Sequence, residues 1–287
     1  MVSAMIRGIA GPLALLVATA APPAAAQQRG AGSDAAATDR PYTLPDSLSR
    51  EVVSDAGEHY QVMIAWPEGE PPAAGWPVLY LLDGEDNFAI AALTARRLGR
   101  AGGRSGVEPG IVVGIAAGPL PRRVRDYTPA TPGWAIPAGQ PAHGLATGGA
   151  EAFLDLLERR VMPLVHDGRL RVDRTRETLA GHSFGGLLAL HAALTRPALF
   201  DRVAAVSPSL WFGNGLIARE ATSAPATTRI LIAEGEGPPD TRGSPAALVA
   251  RLGERRARFL PLPGQSHGTT MLAAMAPTIA FAFGREQ

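Results

Sequence analysis

Short apolar runs that break off at small or acidic residues recur along this chain. Between them lie segments of helical periodicity. Val78–Leu82 ends at Asp83-Gly84, Gly110–Ile115 ends in small residues, and Glu177–Gly181 leads into Ser183. Val203–Val206 and Arg229–Ala233 repeat the pattern. A strand that is apolar along its whole length is buried on both faces. The intervening helices are predicted at Phe88–Leu98, Glu151–Val165, Phe184–Leu194, Ala246–Arg256 and Thr270–Phe283. Tyr60–Trp66 alternates as an early strand, and Ala257–Leu262 closes the series. Strand and helix in turn predict an α/β fold with a mainly parallel sheet and helices on both faces. Ligands of such sheets bind beyond the carboxyl ends of the strands. The loops after Leu82, Ile115, His182, Val206 and Ala233 are therefore the ones to search. Pro119–Thr147, rich in Pro and Gly, reads as one long irregular loop, a length usually tied to function.

Composition removes several chemistries. The 287 residues carry 27 basic and 26 acidic side chains, a balance unlike that of nucleic-acid proteins. Every basic residue is Arg, so no Schiff-base, Walker or Ser-Lys lysine is available. There is no Cys, hence no disulfide, thiolate nucleophile or Cys-held metal. Asp83 and Asp86 without a matching His read as turn and cap residues. No metal or cofactor is expected.

Met1–Ala26 has the pattern of a secretory signal peptide. Arg7 precedes an apolar run from Ile9 to Val17, and Ala24-Ala25-Ala26 is a small-residue cleavage site. The run is short for a membrane span, so no stable anchor is expected after cleavage. Residues 27–45 read as a flexible lead-in and residues 46–287 as one domain of secreted or periplasmic location.

Gly181-His182-Ser183-Phe184-Gly185 fits G-x-S-x-G at the end of an apolar strand and the start of a helix. That setting turns a common pentapeptide into a nucleophile elbow. A serine hydroxyl needs a base, and on this kind of fold the base follows last in the chain. Of the six His, only His267 lies downstream of His191, in a loop before the last helix. The acid is expected after Arg229–Ala233; Glu236 is favoured, with Glu234 and Asp240 as alternatives. It would orient His267 and stabilise its cation. The oxyanion donors are expected to be the N–H of Phe184 and that of Gly84 or Glu85. His182 reads as structural from its place beside Ser183, and Trp211 as either a cleft wall or core. Arg122, Arg123 and Arg125 read as either an anion-recognition cluster or a solvated face.

These residues resemble the esterase D-like family of α/β-hydrolases. The resemblance runs from Tyr60 to the C-terminus through Leu81-Leu82-Asp83-Gly84 and Arg123-Val124-Arg125-Asp126-Tyr127-Thr128-Pro129. It continues through Gly181-His182-Ser183-Phe184-Gly185-Gly186, Ser207-Pro208-Ser209-Leu210-Trp211 and His267-Gly268. The chain looks most similar to the siderophore esterases that open enterobactin and salmochelin trilactones. The resemblance implies Ser183 as nucleophile, His267 as base and Arg123 near the ligand. Arg125, Tyr127, His182 and Trp211 are the further substrate-binding candidates. The sequence Glu234-Gly235-Glu236-Gly237-Pro238-Pro239-Asp240 singles out no carboxylate, so a triad and a Ser-His dyad both stand. The expected partner is a small-molecule ester. A carbohydrate, feruloyl or short-acyl esterase, an acyltransferase and a non-catalytic binding protein of the same fold are the alternatives. Oligomeric state is not encoded in any of these motifs.

Overall fold

The computed structural model describes residues 41–140, 142–222, 227–236 and 244–285. The expected signal peptide and most of the lead-in lie outside these residues. Thr43–Gln287 forms one compact unit. Leu44 and Pro45, assigned above to the lead-in, already belong to it. Leu44 packs under the sheet, its carbonyl accepts a hydrogen bond from Ser47 Oγ, and Arg96 bonds the Pro45 carbonyl.

Eight strands form one sheet in the order β1-β2-β4-β3-β5-β6-β7-β8. They are β1 (Ser47–Val53), β2 (His59–Ala65), β3 (Trp76–Leu82), β4 (Ile111–Ile115), β5 (Val172–His182), β6 (Arg202–Val206), β7 (Arg229–Glu234) and β8 (Ala257–Pro261). β1 and β2 form an antiparallel hairpin and β2 runs antiparallel to β4. Every later pairing is parallel. The mainly parallel sheet is the one the sequence pattern predicts.

β3 is buried at all seven positions because helices cover both sides of it. Val78, Tyr80 and Leu82 face one apolar cluster, while Leu79 and Leu81 face the other. α2 (Leu120–Tyr127), α3 (Ala150–Leu156), α5 (Phe184–Thr195) and α7 (Pro245–Leu252) contribute to the first cluster. α1 (Gly84–Ala101) and α8 (Thr270–Phe283) contribute to the second. Each fully buried Leu, Ile or Val stabilises the fold by roughly 1.5–3 kcal/mol relative to exposure. α3 runs through a π-turn at Leu157–Val161 into α4 (Met162–Val165), and α6 (Leu216–Glu220) follows β6.

Two expectations need correction. The stretch from Pro119 is not wholly irregular, because Leu120–Tyr127 is helical. Pro121 fits the first turn, where a missing N–H costs nothing, and Val124 and Tyr127 bury its inner face. The helix predicted to Arg256 stops at Leu252. Gly253, at φ 86°, ends it, and Ala257 starts β8.

Candidate active site

Ser183 sits between β5 and α5 with φ 58° and ψ −115°. This is a conformation that side-chain-bearing residues avoid, and three backbone bonds hold it. Its N–H donates to the Val206 carbonyl at 3.0 Å, and its carbonyl accepts from Leu187 N at 2.9 Å and Ser209 N at 3.1 Å. The motif glycines follow from this turn. A Cβ on Gly181 would lie 2.5 Å from the Gly185 carbonyl carbon, so strand and helix touch through bare backbone. The Ser183 hydroxyl has one side-chain hydrogen-bond partner among the described residues, Ser209 Oγ at 3.5 Å. The sequence marks Ser209 only as part of a family block; its closeness depends on the β6 loop folding back over the elbow.

His267 arrives on the loop between β8 and α8. Its ring lies 4.7 Å, centre to centre, from that of His182, the residue next to Ser183. Neither ring nitrogen of His267 is hydrogen-bonded to a described residue. The other histidines are engaged elsewhere. His191 bonds Glu220 and Glu151, His166 bonds Glu177, His143 bonds the Ile136 carbonyl and His59 pairs with Glu51. Burial and the nearby Arg123 guanidinium hold the His267 imidazole below its ordinary value. It is therefore neutral, and able to take a proton, at neutral pH. Burial and His267 lower the His182 ring further, to about 4.

No described carboxylate of the β7 loop is hydrogen-bonded to this imidazole. Glu236 accepts the Gly264 N–H at 2.9 Å, and its own N–H donates to the Gln265 carbonyl. Glu236 thus braces the His267 loop through backbone. Glu234 ends β7 and is engaged, and Asp240 lies outside the described residues.

β3 neighbours β5, so α1 and α5 begin side by side. A Cβ on Gly185 would lie 3.4 Å from Leu82 Cδ1 and 3.6 Å from Asp83 Oδ2, which fixes how near the two helix starts are. The first N–H groups of each helix have no partner within it. Phe184 supplies such a group from α5, and Gly84 and Glu85 from α1. The Glu85 carboxylate is spent on the Ala117 and Gly118 N–H groups at 3.0 and 2.9 Å.

Arg123 lies at the junction of these elements. It grips Asp83 with two bonds of 2.5 and 2.8 Å and reaches the His182 carbonyl at 3.2 Å. Burial pushes the Asp83 carboxyl up, and Arg123 offsets part of that shift. Tyr127 is fully buried and offers no surface to a substrate; its hydroxyl accepts the Asp83 N–H from beneath. The Arg125 guanidinium is engaged by Glu58 and Asp126 in a cleft whose lining includes neither Ser183 nor His267. Trp211 is half-buried and meets the Phe184 ring at 5.9 Å and the Trp134 ring at 6.3 Å. Trp134, which the sequence pattern does not single out, thereby joins an aromatic wall beside the elbow. Only its arrival from the long loop reveals it.

Residues 54–252 match the family described as "Putative esterase". The chain belongs to that family. It is 37% identical over 201 residues to the siderophore triacetylfusarinine C esterase of Aspergillus fumigatus, covering 66% of this chain and 65% of that one. This chain thus spans just under two thirds of that relative's length. It is 30% identical over 271 residues to the ferri-bacillibactin esterase BesA of Bacillus subtilis, with 85% and 92% covered. Among solved structures, siderophore hydrolase EstB from Aspergillus nidulans superposes with a TM-score of 0.69 at 26% identity, over 86% of this chain and 98% of that one. The architecture is the α/β-hydrolase fold.

Proposed function

We propose that this protein is an exported serine esterase that opens siderophore-type esters. One observation carries the reading. A serine held at a strained strand-to-helix turn adjoins His182, whose ring lies 4.7 Å from the His267 imidazole, neutral at neutral pH, beside two adjoining helix starts. In this scheme Ser183 Oγ attacks the ester carbonyl as His267 takes its proton. The N–H groups of Phe184 and of Gly84 or Glu85 hold the oxyanion. His267 returns the proton to the leaving alcohol, and water repeats the sequence on the acyl-enzyme. The proton transfers run on the Ser183–His267 pair, with Glu236 acting on the loop. The activities for which the relatives are named support a siderophore ester as substrate. The wall of Phe184, Trp211 and Trp134 suits a ligand with flat rings. Export rests on the Met1–Ala26 pattern, and no helix among the described residues is long and apolar enough to cross a membrane.

The test compares wild type, Ser183→Ala and His267→Ala on a catecholate trilactone and on p-nitrophenyl acetate. The trilactone should be the better substrate. Each substitution should lower kcat by about 10⁴-fold or more, as for other members of acyl-transfer machineries. A fluorophosphonate should label wild type and not Ser183→Ala. Unlabelled wild type would leave a non-catalytic hydrolase fold. Labelling with turnover of p-nitrophenyl acetate alone would leave a short-acyl esterase, and transfer to an added alcohol would make it an acyltransferase.

A further inference from the structure

Loops that carry a general base must hold it still, and here no described carboxylate bonds the His267 ring. The bonds converge instead on its backbone carbonyl. His182 Nε2 lies 2.9 Å from that oxygen, and Thr270 Oγ1 donates to it at 3.0 Å. Thr270 Oγ1 also lies 3.2 Å from His182 Nε2 and accepts from Ser207 Oγ at 3.0 Å. Proton accounting leaves one arrangement. A carbonyl can only accept, so His182 must carry its proton on Nε2. Ser207 then donates to Thr270, and Thr270 donates to His267, which fills both lone pairs of the carbonyl. Ser207 and Thr270 are buried, so water does not compete for the bond between them, while the His182 bond to the carbonyl lies at the surface of the site. Ser207 leaves the end of β6, His182 the end of β5, and Thr270 opens α8. The rigid sheet edge is thereby tied to the base-carrying loop at the very residue that carries the base.

We infer that His182, Thr270 and Ser207 form a backbone clamp that positions His267 for proton transfer, doing through the main chain what an orienting carboxylate would do through the ring. The inference rests on His267 being the base. His182 and Thr270 act here as positioning residues, through the His267 carbonyl and not on the proton in flight. The clamp also keeps the His267 ring against His182 and within the field of Arg123, the titratable and charged neighbours that bear on it.

The experiment measures kcat, KM and the pH profile of kcat/KM on the hydrolysed ester for wild type and four variants. Thr270→Val keeps the shape and removes the hydroxyl; Thr270→Ser returns it. His182→Phe keeps the ring and removes the donor; His182→Gln returns a donor near the same place. Thr270→Val and His182→Phe should each lower kcat about tenfold with KM little changed, the worth of one lost hydrogen bond to a working group. Thr270→Ser and His182→Gln should recover most of the loss. The acidic limb of kcat/KM should move up toward the ordinary imidazole range in the two disabled variants, because a freed ring is better solvated. The double variant Thr270→Val/His182→Phe should cost less than the product of the singles, since both act on one oxygen. Parent kcat and an unmoved acidic limb in both disabled variants would overturn the clamp. So would losses that the conservative variants fail to restore, or that merely follow thermal stability. If His267→Ala itself left hydrolysis intact, the proposed function would fail first, and the two failures are thus told apart.

Discussion

Ser183 concentrates the cost of this site in one residue. A non-glycine residue at φ 58° and ψ −115° costs on the order of 1–3 kcal/mol and persists only where surrounding bonds over-determine it. Those bonds come from β6, α5 and the Ser209 loop, so three elements cooperate to expose one hydroxyl. Glu236 is the opposite case, a residue whose chemistry suggests more than its contacts deliver. Its carboxylate accepts the Gly264 N–H, a task an amide oxygen performs as well. Glu236→Gln should therefore keep kcat within about threefold of wild type. Loss of an orienting triad carboxylate costs nearer 10⁴-fold, so a loss of that size would restore Glu236 as the acid. The comparison needs only initial rates at one pH above the His267 titration. The elbow at Ser183 and the loop that carries His267 are legible in the sequence because motif, strand end and chain order all point to them. The acid is not legible, since spacing along a loop does not say which way a carboxylate turns.

β5 and α5 show how strongly two elements can depend on an absent side chain. A methyl group at Gly181 would meet backbone at 2.5 Å, with no flexible atom to yield. Gly181→Ala must push α5 off the sheet and carry the elbow with it. A loss of about 1–3 kcal/mol is expected from such overpacking, seen as a fall of several degrees in thermal midpoint. The fluorophosphonate labelling rate should fall with it even in the fraction that remains folded. Full labelling at an unchanged midpoint would show that the close approach is not needed. The buried strands and long helices can be read from the sequence because their apolar periodicity is set by burial itself. β1 cannot: its residues are half-buried at a sheet edge, and Ser47-Leu48-Ser49-Arg50-Glu51 carries only a faint alternation. α2 is hidden by the Pro and Gly around it, although Pro121 is a helix-starting residue when it stands in the first turn.

Three helices of one side of the sheet are joined through a single buried imidazole. His191, on α5, bonds Glu220 of α6 through Nδ1 and Glu151 of α3 through Nε2, each at 2.8 Å. Two carboxylates on two ring nitrogens require both nitrogens to be protonated, so His191 is a cation. Arg196 adds a second positive group to the same Glu151 at 3.7 Å. Burial alone would push the imidazole down; the bonds to Glu220 and Glu151 outweigh it and hold the ring above its ordinary value. A His whose folded value is raised stabilises the fold fully below its unfolded value of about 6.5. That contribution fades as pH rises through the folded value. His182 works in the other direction, since burial holds it at about 4 in the fold. Its share is present above a pH of about 6.5 and fades as pH falls toward the folded value, so stability should decline on both sides of the neutral range. His191→Gln separates the two effects. Its thermal midpoint should lie several degrees below wild type at about pH 6, where the wild-type imidazolium holds both carboxylates. The gap should narrow at a second, alkaline pH above the folded value, where the wild-type ring has lost one of its two donors. An equal gap at both pH values would mean that His191 acts by shape alone. A narrowing gap would mean that its charge ties α3 and α6 to the helix that begins at Ser183.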